Sequence, residues 1–261
     1  HIIPVARSTA VKISVVTAVY NNVTEIEAAI GSVLAQREVT IEPVVVDGGS
    51  TDGTRELLER YRDRFGAYVS ARDGGSYPAL NRGLALATGD YVGFLHSDDL
   101  FASPDALATL FAGLGDARPD AVWGDLNYVR KTDPNSVVRR WISTPFTPRR
   151  LRQGWMPPHP ALYVRRDRFL ELGGFNPDMR IAADYDFILR LFAGGGDLRY
   201  VPGTVVAMRT GGASNRSVGA VIRKSREDVS ALRRANIAVL PAIIGKNLSK
   251  LPQLLPWRHR F

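Results

Sequence analysis

An apolar strand that ends in two adjacent acids constrains this chain more than any other feature. Tyr91-Val92-Gly93-Phe94-Leu95 runs through His96-Ser97 into Asp98-Asp99. In open α/β sheets, ligands sit beyond the carboxyl ends of the strands. An unpaired carboxylate is costly to bury, so acids at such a tip rarely serve a core. Two of them suit a divalent cation, and the cation in turn suits a diphosphate. The pattern recurs upstream. Val44-Val45-Val46 leads into Asp47-Gly48-Gly49-Ser50-Thr51-Asp52-Gly53-Thr54, and a polar amphipathic stretch follows from Arg55 to Arg64. That reads as strand, glycine-rich turn and helix, with Ser50, Thr51 or Asp52 near the N-cap. Ile13-Ser14-Val15-Val16-Thr17 likewise leads into Ala18-Val19-Tyr20-Asn21-Asn22. Three such tips make a polar crevice of nucleotide size at the top of a parallel sheet.

The rest of the front half fits that sheet. Strands are predicted at residues 12–18, 41–47, 66–71 and 91–96, with helices at 23–36, 54–64, 77–88 and 103–114. Strands alternating with helices indicate parallel pairing. After Asp120 the alternation stops. Ala121-Val122-Trp123-Gly124-Asp125 and Ala161-Leu162-Tyr163-Val164 read as strands between long irregular connections, and helices are predicted at 183–194 and 217–235. The front half thus merges with a mixed-sheet back half in one domain.

At 261 residues the chain is one large α/β domain or two small ones, and no Pro/Ser-rich linker divides it. It has no cysteine, which excludes a disulfide framework and thiolate metal sites and permits a reducing compartment. No secretory signal is visible, and residues 1–10 read as a flexible N-terminus or appended remnant. The formal charge of +8 is unevenly placed: from Arg209 onward about eleven Lys and Arg face two acids, while the preceding residues are close to neutral. Residues 211–261 therefore read as a basic, amphipathic helical tail on a body spanning 11–210. Its longest charge-free run, Ala235 to Gly245, contains Pro241 and falls short of the roughly twenty residues of a membrane span. Ile243, Ile244, Leu248, Leu251, Leu254, Leu255 and Trp257 lie among Lys246, Lys250, Arg258 and Arg260. Apolar residues interleaved with cations suit an anionic membrane interface, entered here as short pieces because Pro252 and Pro256 break any long helix.

Several side chains carry a chemical and a plain reading together. Asp47 either caps its turn or reaches a base or ribose hydroxyl, and Asp52 either caps a helix or joins it. Arg72-Asp73-Gly74-Gly75-Ser76-Tyr77-Pro78-Ala79-Leu80-Asn81-Arg82-Gly83 reads as a turn and a helix, where Arg82 either meets phosphate or sits on the surface. His159 in Met156-Pro157-Pro158-His159-Pro160 is rigidly presented, toward metal or diphosphate or into the structure. Trp155 either stacks on a sugar face or packs a loop. Asp184 opens an amphipathic helix, as a first-turn acid or as a general base, with Asp186 in support.

These motifs resemble those of the family-2 inverting glycosyltransferases of GT-A fold, in the bacterial polysaccharide and glycolipid branch, over residues 11–210. The matching stretches are Val46 to Thr54, Asp73 to Gly83 and Phe94 to Asp99. The resemblance implies an α/β, Rossmann-like fold with a mixed, mostly parallel central sheet. It implies a nucleotide-sugar pocket lined by Thr17, Ala18, Tyr20, Asn21, Asp47, Gly49, Asp73, Arg82, His96 and Ser97. The family's Asp-x-Asp falls on His96-Ser97-Asp98, so Asp98, with Asp99, would hold Mn2+ or Mg2+. Its Glu-Asp pair falls on Ala183-Asp184, which makes Asp184 the base, while Trp155 and His159 would meet acceptor or diphosphate. The implied reaction moves a sugar, from UDP in the first instance, to a glycan or lipid-linked hydroxyl, with inversion and no covalent intermediate. With the basic tail, this places the protein in the cytoplasm, peripheral on the inner face of the membrane.

Other classes fit less well. There is no G-x-S-x-G elbow, P-loop or G-x-G-x-x-G after the first strand. A nucleotidyltransferase would carry a glycine-rich basic loop where Ala18-Val19-Tyr20-Asn21-Asn22 stands. A basic binding module is the other alternative, but the charge is confined to the tail and no RNA-binding aromatic motif occurs, so no nucleic acid partner is expected.

Overall fold

A computed structural model describes residues 11–114, 117–211 and 218–248. The expectations for residues 1–10 and for Lys250, Leu251, Pro252, Leu254, Leu255, Pro256, Trp257, Arg258 and Arg260 lie outside the described residues. The strands are β1 (Lys12–Val19), β2 (Thr40–Asp47), β3 (Ala67–Ser70), β4 (Tyr91–Phe94), β5 (Leu100–Phe101), β6 (Ala121–Arg130), β7 (Asp133–Trp141), β8 (Leu162–Arg165) and β9 (Leu198–Arg209). The helices are α1 (Ile26–Leu34), α2 (Thr54–Glu59), α3 (Ser76–Leu86), α4 (Ala106–Ala112), α5 (Pro148–Arg152), α6 (Arg166–Glu171), α7 (Ala183–Ala193), α8 (Val218–Arg234) and α9 (Val239–Leu248).

The strands form one mixed sheet in the order β3-β2-β1-β4-β8-β6-β9-β5, with β7 paired to β6 outside that path. The β3, β2, β1 and β4 ladder is parallel. Its register sets Val19 opposite Asp47 and Asp47 opposite Ser70, so three strand tips end level. That is the predicted crevice. β1 is buried on both faces because successive residues point to opposite sides. Ile13, Val15 and Val19 pack toward α1, α2 and α4, while Val16 packs with Leu80, Leu84, Phe94 and Phe187 toward α3 and α7. Gly83 permits the second contact, since a Cβ there would stand 2.3 Å from Val16 Cγ1.

The front half matches the sequence pattern closely, and the back half departs from it. β4 ends at Phe94, two residues early, although the Leu95 N–H still donates to the Val16 carbonyl at 3.1 Å. Part of the connections expected to be irregular after Asp120 is strand: β6 runs on to Arg130, β7 follows it, and β9 spans Leu198–Arg209. β7 reads poorly as one because it carries Pro134, Arg139 and Arg140, which suits an edge strand paired on one side only. β9 is interrupted in sequence by Pro202-Gly203, beside the register shifts of the β6–β9 pairing. The C-terminal stretch up to Leu248 packs on the body as a helix pair. Ala231, Leu232, Ile237 and Ala242 are buried in the main core, so up to that point it is no detachable series of interfacial pieces. Pro241 lies in the first turn of α9, where its missing N–H leaves no intrahelical bond unmade.

Candidate active site

The tips of β1, β2 and β3 and the start of α3 enclose a cavity of about 400 Å3, lined by Ala18, Tyr20, Gly48, Arg72, Asp73 and Ser76 among others. Pockets for small ligands and cofactors run from roughly 300 to 1,000 Å3. Its first two loops are clasped together by side chains on main chain. The Asn21 N–H donates to Ser50 Oγ at 2.8 Å, and Asn21 Oδ1 accepts the Thr51 N–H at 2.8 Å. The Asn22 N–H donates to Thr54 Oγ1 at 2.9 Å, and the Val23 N–H to Asp52 at 3.1 Å. Asn21 adopts a left-handed φ of 48° to do this, a conformation Asn tolerates better than most residues. Asp52 therefore fastens a turn.

The structure sorts the predicted pocket residues into three groups. Ala18, Tyr20 and Asp73 line the cavity, and Tyr20 is 65% exposed. Asp73 accepts the Gly75 N–H at 3.0 Å on one oxygen, while the other is buried without a partner among the described residues. Thr17 and Asp47 are buried beneath the cavity. Asp47 accepts the Ser50 N–H at 3.2 Å, the Ser50 hydroxyl at 2.5 Å and the Ser70 hydroxyl at 2.6 Å. Both oxygens are thus engaged by donors of the neighbouring turns, and Asp47 shapes the turn beneath the cavity. Gly49 packs on the Arg72 main chain behind the cavity wall. Arg82 is exposed on α3 and is not among the lining residues, which corrects its placement in the pocket. Arg72 takes the lining position instead. The sequence reading passed over it, although it lies two residues past β3 and directly before Asp73.

The loop after β4 joins this cavity to a second group of side chains. Ser97 Oγ accepts from Asn22 Nδ2 at 3.0 Å. His96 Nε2 lies 2.9 Å from His159 Nε2, and His159 Nδ1 lies 3.2 Å from Asp184 Oδ2. The Tyr77 hydroxyl stands 3.0 Å from Asp184 Oδ1 and 2.8 Å from the Ile181 carbonyl. Behind them is a small cavity of about 40 Å3 walled by Leu80, Phe94, Leu162, Phe169, Phe175 and Phe187. Burial pushes the His159 imidazole down to about 4, against the pull of Asp184, with His96 adding to the fall. At neutral pH His159 is therefore neutral and reaches Asp184 as an N–H donor. Burial also opposes ionisation of Asp184, but His159, the Tyr77 hydroxyl and Lys246 outweigh it and hold the carboxyl below its usual range. Asp184 is a carboxylate at neutral pH, able to accept a proton.

Asp184 is held in place by distant parts of the chain. Phe169 stacks on Phe187 at 3.9 Å beneath α7. From α8, the Glu227 carboxylate accepts the N–H groups of Arg180, Ile181 and Ala182 at 3.1, 2.9 and 2.8 Å. These are main-chain donors at the start of α7, where a negative charge also suits the helix dipole. Asp186 is buried and pairs with Arg190 at 3.0 Å and Arg234 at 2.8 Å. Lys246 of α9 lies 3.4 Å from the centre of the Tyr185 ring and 3.1 Å from Asp228. Glu227 and Tyr77 carried no expected role, and Lys246, expected among the membrane-facing cations of the tail, instead turns inward onto Tyr185 and Asp228.

Two further expectations change. Trp155 meets Trp123 at 5.8 Å and Phe192 at 5.4 Å in edge-type contacts, so it packs its loop onto the core. Asp99 is only 1% exposed and turns into β9, where Oδ1 accepts the Arg209 N–H at 2.9 Å and Oδ2 is buried without a partner among the described residues. Burial, with Asp98 beside it, raises its carboxyl to about 7 despite the opposing effect of His96. Arg209 also donates to the Asp98 carbonyl at 3.0 Å, which props the loop from below. Among the described residues no group of three His, Asp or Glu side chains is arranged to cage a metal. Asp98 alone keeps a carboxylate for one. That suits Mg2+-like sites, which take one or two carboxylates and draw their other ligands from substrate phosphates and water.

Comparison with known proteins matches this architecture. Residues 14–170 match the model of glycosyl transferase family 2. The chain is 31% identical over 257 residues to a PGL/p-HBAD biosynthesis glycosyltransferase of Mycobacterium tuberculosis, covering 95% of this chain and 97% of that one. It is 36% identical over 182 residues to an uncharacterized glycosyltransferase of the same species, covering 68% of each. Among solved structures, S. aureus TarS 1-349 in complex with UDP-GlcNAc superposes with a TM-score of 0.64 at 18% identity, covering 93% of this chain and 78% of that one. The mannosyltransferase PcManGT from Pyrobaculum calidifontis, in complex with GDP-Man and Mn2+, gives 0.64 at 21% identity, covering 94% and 72%. The fold is the GT-A glycosyltransferase fold, and this chain belongs to glycosyltransferase family 2.

Proposed function

We propose that this protein is an inverting glycosyltransferase that moves a sugar from a nucleotide-diphosphate donor, a UDP-sugar first among them, to a hydroxyl of a glycan or lipid-linked acceptor. The observation that carries this reading is the chain of contacts Asp184–His159–His96. It sets a carboxylate beside the loop that begins at the tip of β4, next to a cavity of nucleotide size. Ala18, Tyr20, Arg72 and Asp73 receive the nucleoside, and the unpartnered oxygen of Asp73 offers an acceptor to a base or sugar donor. Thr17, Asn21, Asp47 and Gly49 give the pocket its shape from behind. Asp98 holds a divalent cation, Mn2+ or Mg2+, which neutralises charge on the departing diphosphate. Asp184 takes the proton of the acceptor hydroxyl. That oxygen bonds to the anomeric carbon as the carbon–phosphate oxygen bond breaks on the opposite face, and the nucleoside diphosphate leaves. The names and complexes of the relatives support the donor class, the cation and an acceptor of glycolipid type.

Sugar transfer from a panel of nucleotide sugars to a lipid-linked acceptor with Mn2+ or Mg2+, measured by release of the nucleoside diphosphate, tests the reading. Asp184→Asn should lower turnover on the order of a hundredfold with donor affinity kept. Collapse of donor binding with turnover of bound donor intact would make Asp184 a helix cap.

The same reading places the protein on the inner face of a membrane. No helix among the described residues is long and apolar enough to cross one. Leu240, Ile244 and Leu248 are exposed at helical spacing on α9, which packs on α5 with its exposed Arg149, Arg150 and Arg152. Apolar side chains beside cations suit an anionic surface, where each basic residue contributes on the order of 1 kcal/mol. Replacing the three by Ser should release the protein from phosphatidylglycerol vesicles and spare activity on a short soluble acceptor. Unchanged sedimentation with vesicles would sink the membrane reading.

A further inference from the structure

The base of this site lacks the neighbour its family pattern supplies: Ala183 stands where the resemblance places an acid. Something else must orient the carboxylate. Each Asp184 oxygen has its own partner, Tyr77 on Oδ1 at 3.0 Å and His159 on Oδ2 at 3.2 Å. Both partners are themselves anchored. The Tyr77 ring lies 5.5 Å from the Phe175 ring, and its hydroxyl proton is shared with the Ile181 carbonyl. His159 sits in a short helical turn over His159–Ala161 with Pro158 before it and Pro160 after it, which restricts the main chain on both sides.

We propose that His159 is the positioning residue of Asp184, acting through its Nδ1–H, and that the His96 imidazole fixes the His159 ring from its other side.

The donor directions follow from the geometry. A neutral imidazole has one N–H and one acceptor nitrogen. The contact to a carboxylate claims the proton for Nδ1 of His159. Nε2 is then an acceptor and takes the Nε2–H of His96 across 2.9 Å. The tautomers of both rings are thereby set in one direction, from the loop of Asp98 toward Asp184. The two imidazole planes stand at 72° with ring centres 5.2 Å apart, and the Nε2 atoms are their point of contact. Rotation of the carboxylate would break either the Tyr77 or the His159 contact, and the small apolar cavity behind it offers no substitute donor beyond these. His96 accordingly has a task besides standing in the Asp-x-Asp stretch. Its replacement of an acid there and the absence of an acid before Asp184 are two sides of one arrangement, joined by His159. An orientation error of about 1 Å at a reacting group can lower a rate by about a hundredfold.

This inference rests on Asp184 being the base, and the test separates the two. His159→Asn places an amide nitrogen near the position of Nδ1, within reach of Asp184 and out of reach of His96. His159→Gln places it near Nε2, with the opposite reach. Steady-state kinetics of both, beside Asp184→Asn, should show His159→Asn keeping kcat within about threefold. His159→Gln should lose on the order of tenfold or more in kcat, with donor KM unchanged in both. The reverse order, or a raised donor KM in place of a lowered kcat, would overturn the proposal and assign His159 to the diphosphate side. Full turnover by Asp184→Asn would instead remove the base reading itself. Should both His159 variants melt early, Tyr77→Phe makes the same comparison at the other oxygen. A severalfold fall in kcat at constant donor KM supports the two-sided hold, and no change overturns it.

Discussion

The crevice proposed for the nucleotide and the region around Asp184, proposed as the base, lie side by side and are built in opposite ways. The crevice is made by loops that follow their own strands, and its bonds join neighbouring turns: Asn21 to Ser50 and Thr51, Asn22 to Thr54, Asp47 to Ser50 and Ser70. The base region draws on the whole chain. Asp184 takes Tyr77 from α3, His159 from the turn before β8 and, through the main chain ahead of it, Glu227 from α8. A crevice of the first kind needs only parallel strands with polar tips. If Asp184 is the base, as proposed, its setting depends on the docking of α8, whose Glu227 holds the main chain just ahead of it, so the C-terminal pair would support catalysis as well as cover the surface.

The strongest way to break that comparison is to undock α9 without touching the site. Gly154 has φ of 80°, and a Cβ there would stand 2.0 Å from the Ala242 carbonyl oxygen. Gly154→Ala therefore meets both left-handed strain and a backbone clash, together costing about 2 kcal/mol or more. The melting temperature should fall by roughly 4 °C or more. Turnover at a permissive temperature should fall further than nucleotide affinity, because the crevice does not depend on α9. An unchanged melting temperature would mean that α9 is a detachable tail after all and that the contrast between the regions is false.

The same contrast explains what could be read in advance. The four front strands, the helix at 183–193 and the helix at 218–234 follow from apolar runs and periodicity, which are local. Asp184 stands at a helix start as expected, whereas Asp98 lies four residues past the end of β4, in the turn that leads to β5. Their surroundings were not legible. Asp99 follows Asp98 directly, yet a turn of the chain sends it under β9, and nothing in the two letters separates them. Arg72 and Arg82 both belong to one glycine-rich stretch, and nothing local tells that Arg72, in the loop after β3, lines the pocket while Arg82, on α3, does not. Glu227 lies more than forty residues past Asp184, and no local pattern marks a carboxylate that will cap another helix. β7 and β9 were missed because the arginines of β7 and the Pro202-Gly203 of β9 mask the alternation that a strand shows when one of its faces is buried.

A smaller effect sharpens the comparison from the front side. Glu42 lies near the start of β2, at the opposite end of the strand from Asp47, with its side chain only 7% exposed. It accepts from Lys12 Nζ at 2.6 Å, Ser14 Oγ at 2.5 Å, and the Thr88 N–H and hydroxyl at 2.7 and 2.5 Å. Burial alone would raise its carboxyl, but these donors outweigh it and bring it from 4.5 down to about 2. Between those values the unfolded chain binds the proton that the folded chain refuses. Stability from Glu42 is therefore complete above about pH 4.5 and is lost as pH falls toward 2. Glu42→Gln keeps the size of the side chain and removes this titration. Its unfolding free energy should depend less steeply on pH across that window, measured by denaturant titration at each pH. Nucleotide affinity and kcat at pH 7 should stay near those of the parent, since the network sits at the foot of the sheet and the reaction at its tips. A parallel loss of kcat at pH 7 would show that the two ends of the parallel ladder are coupled, and that the crevice is less self-contained than its local bonds imply.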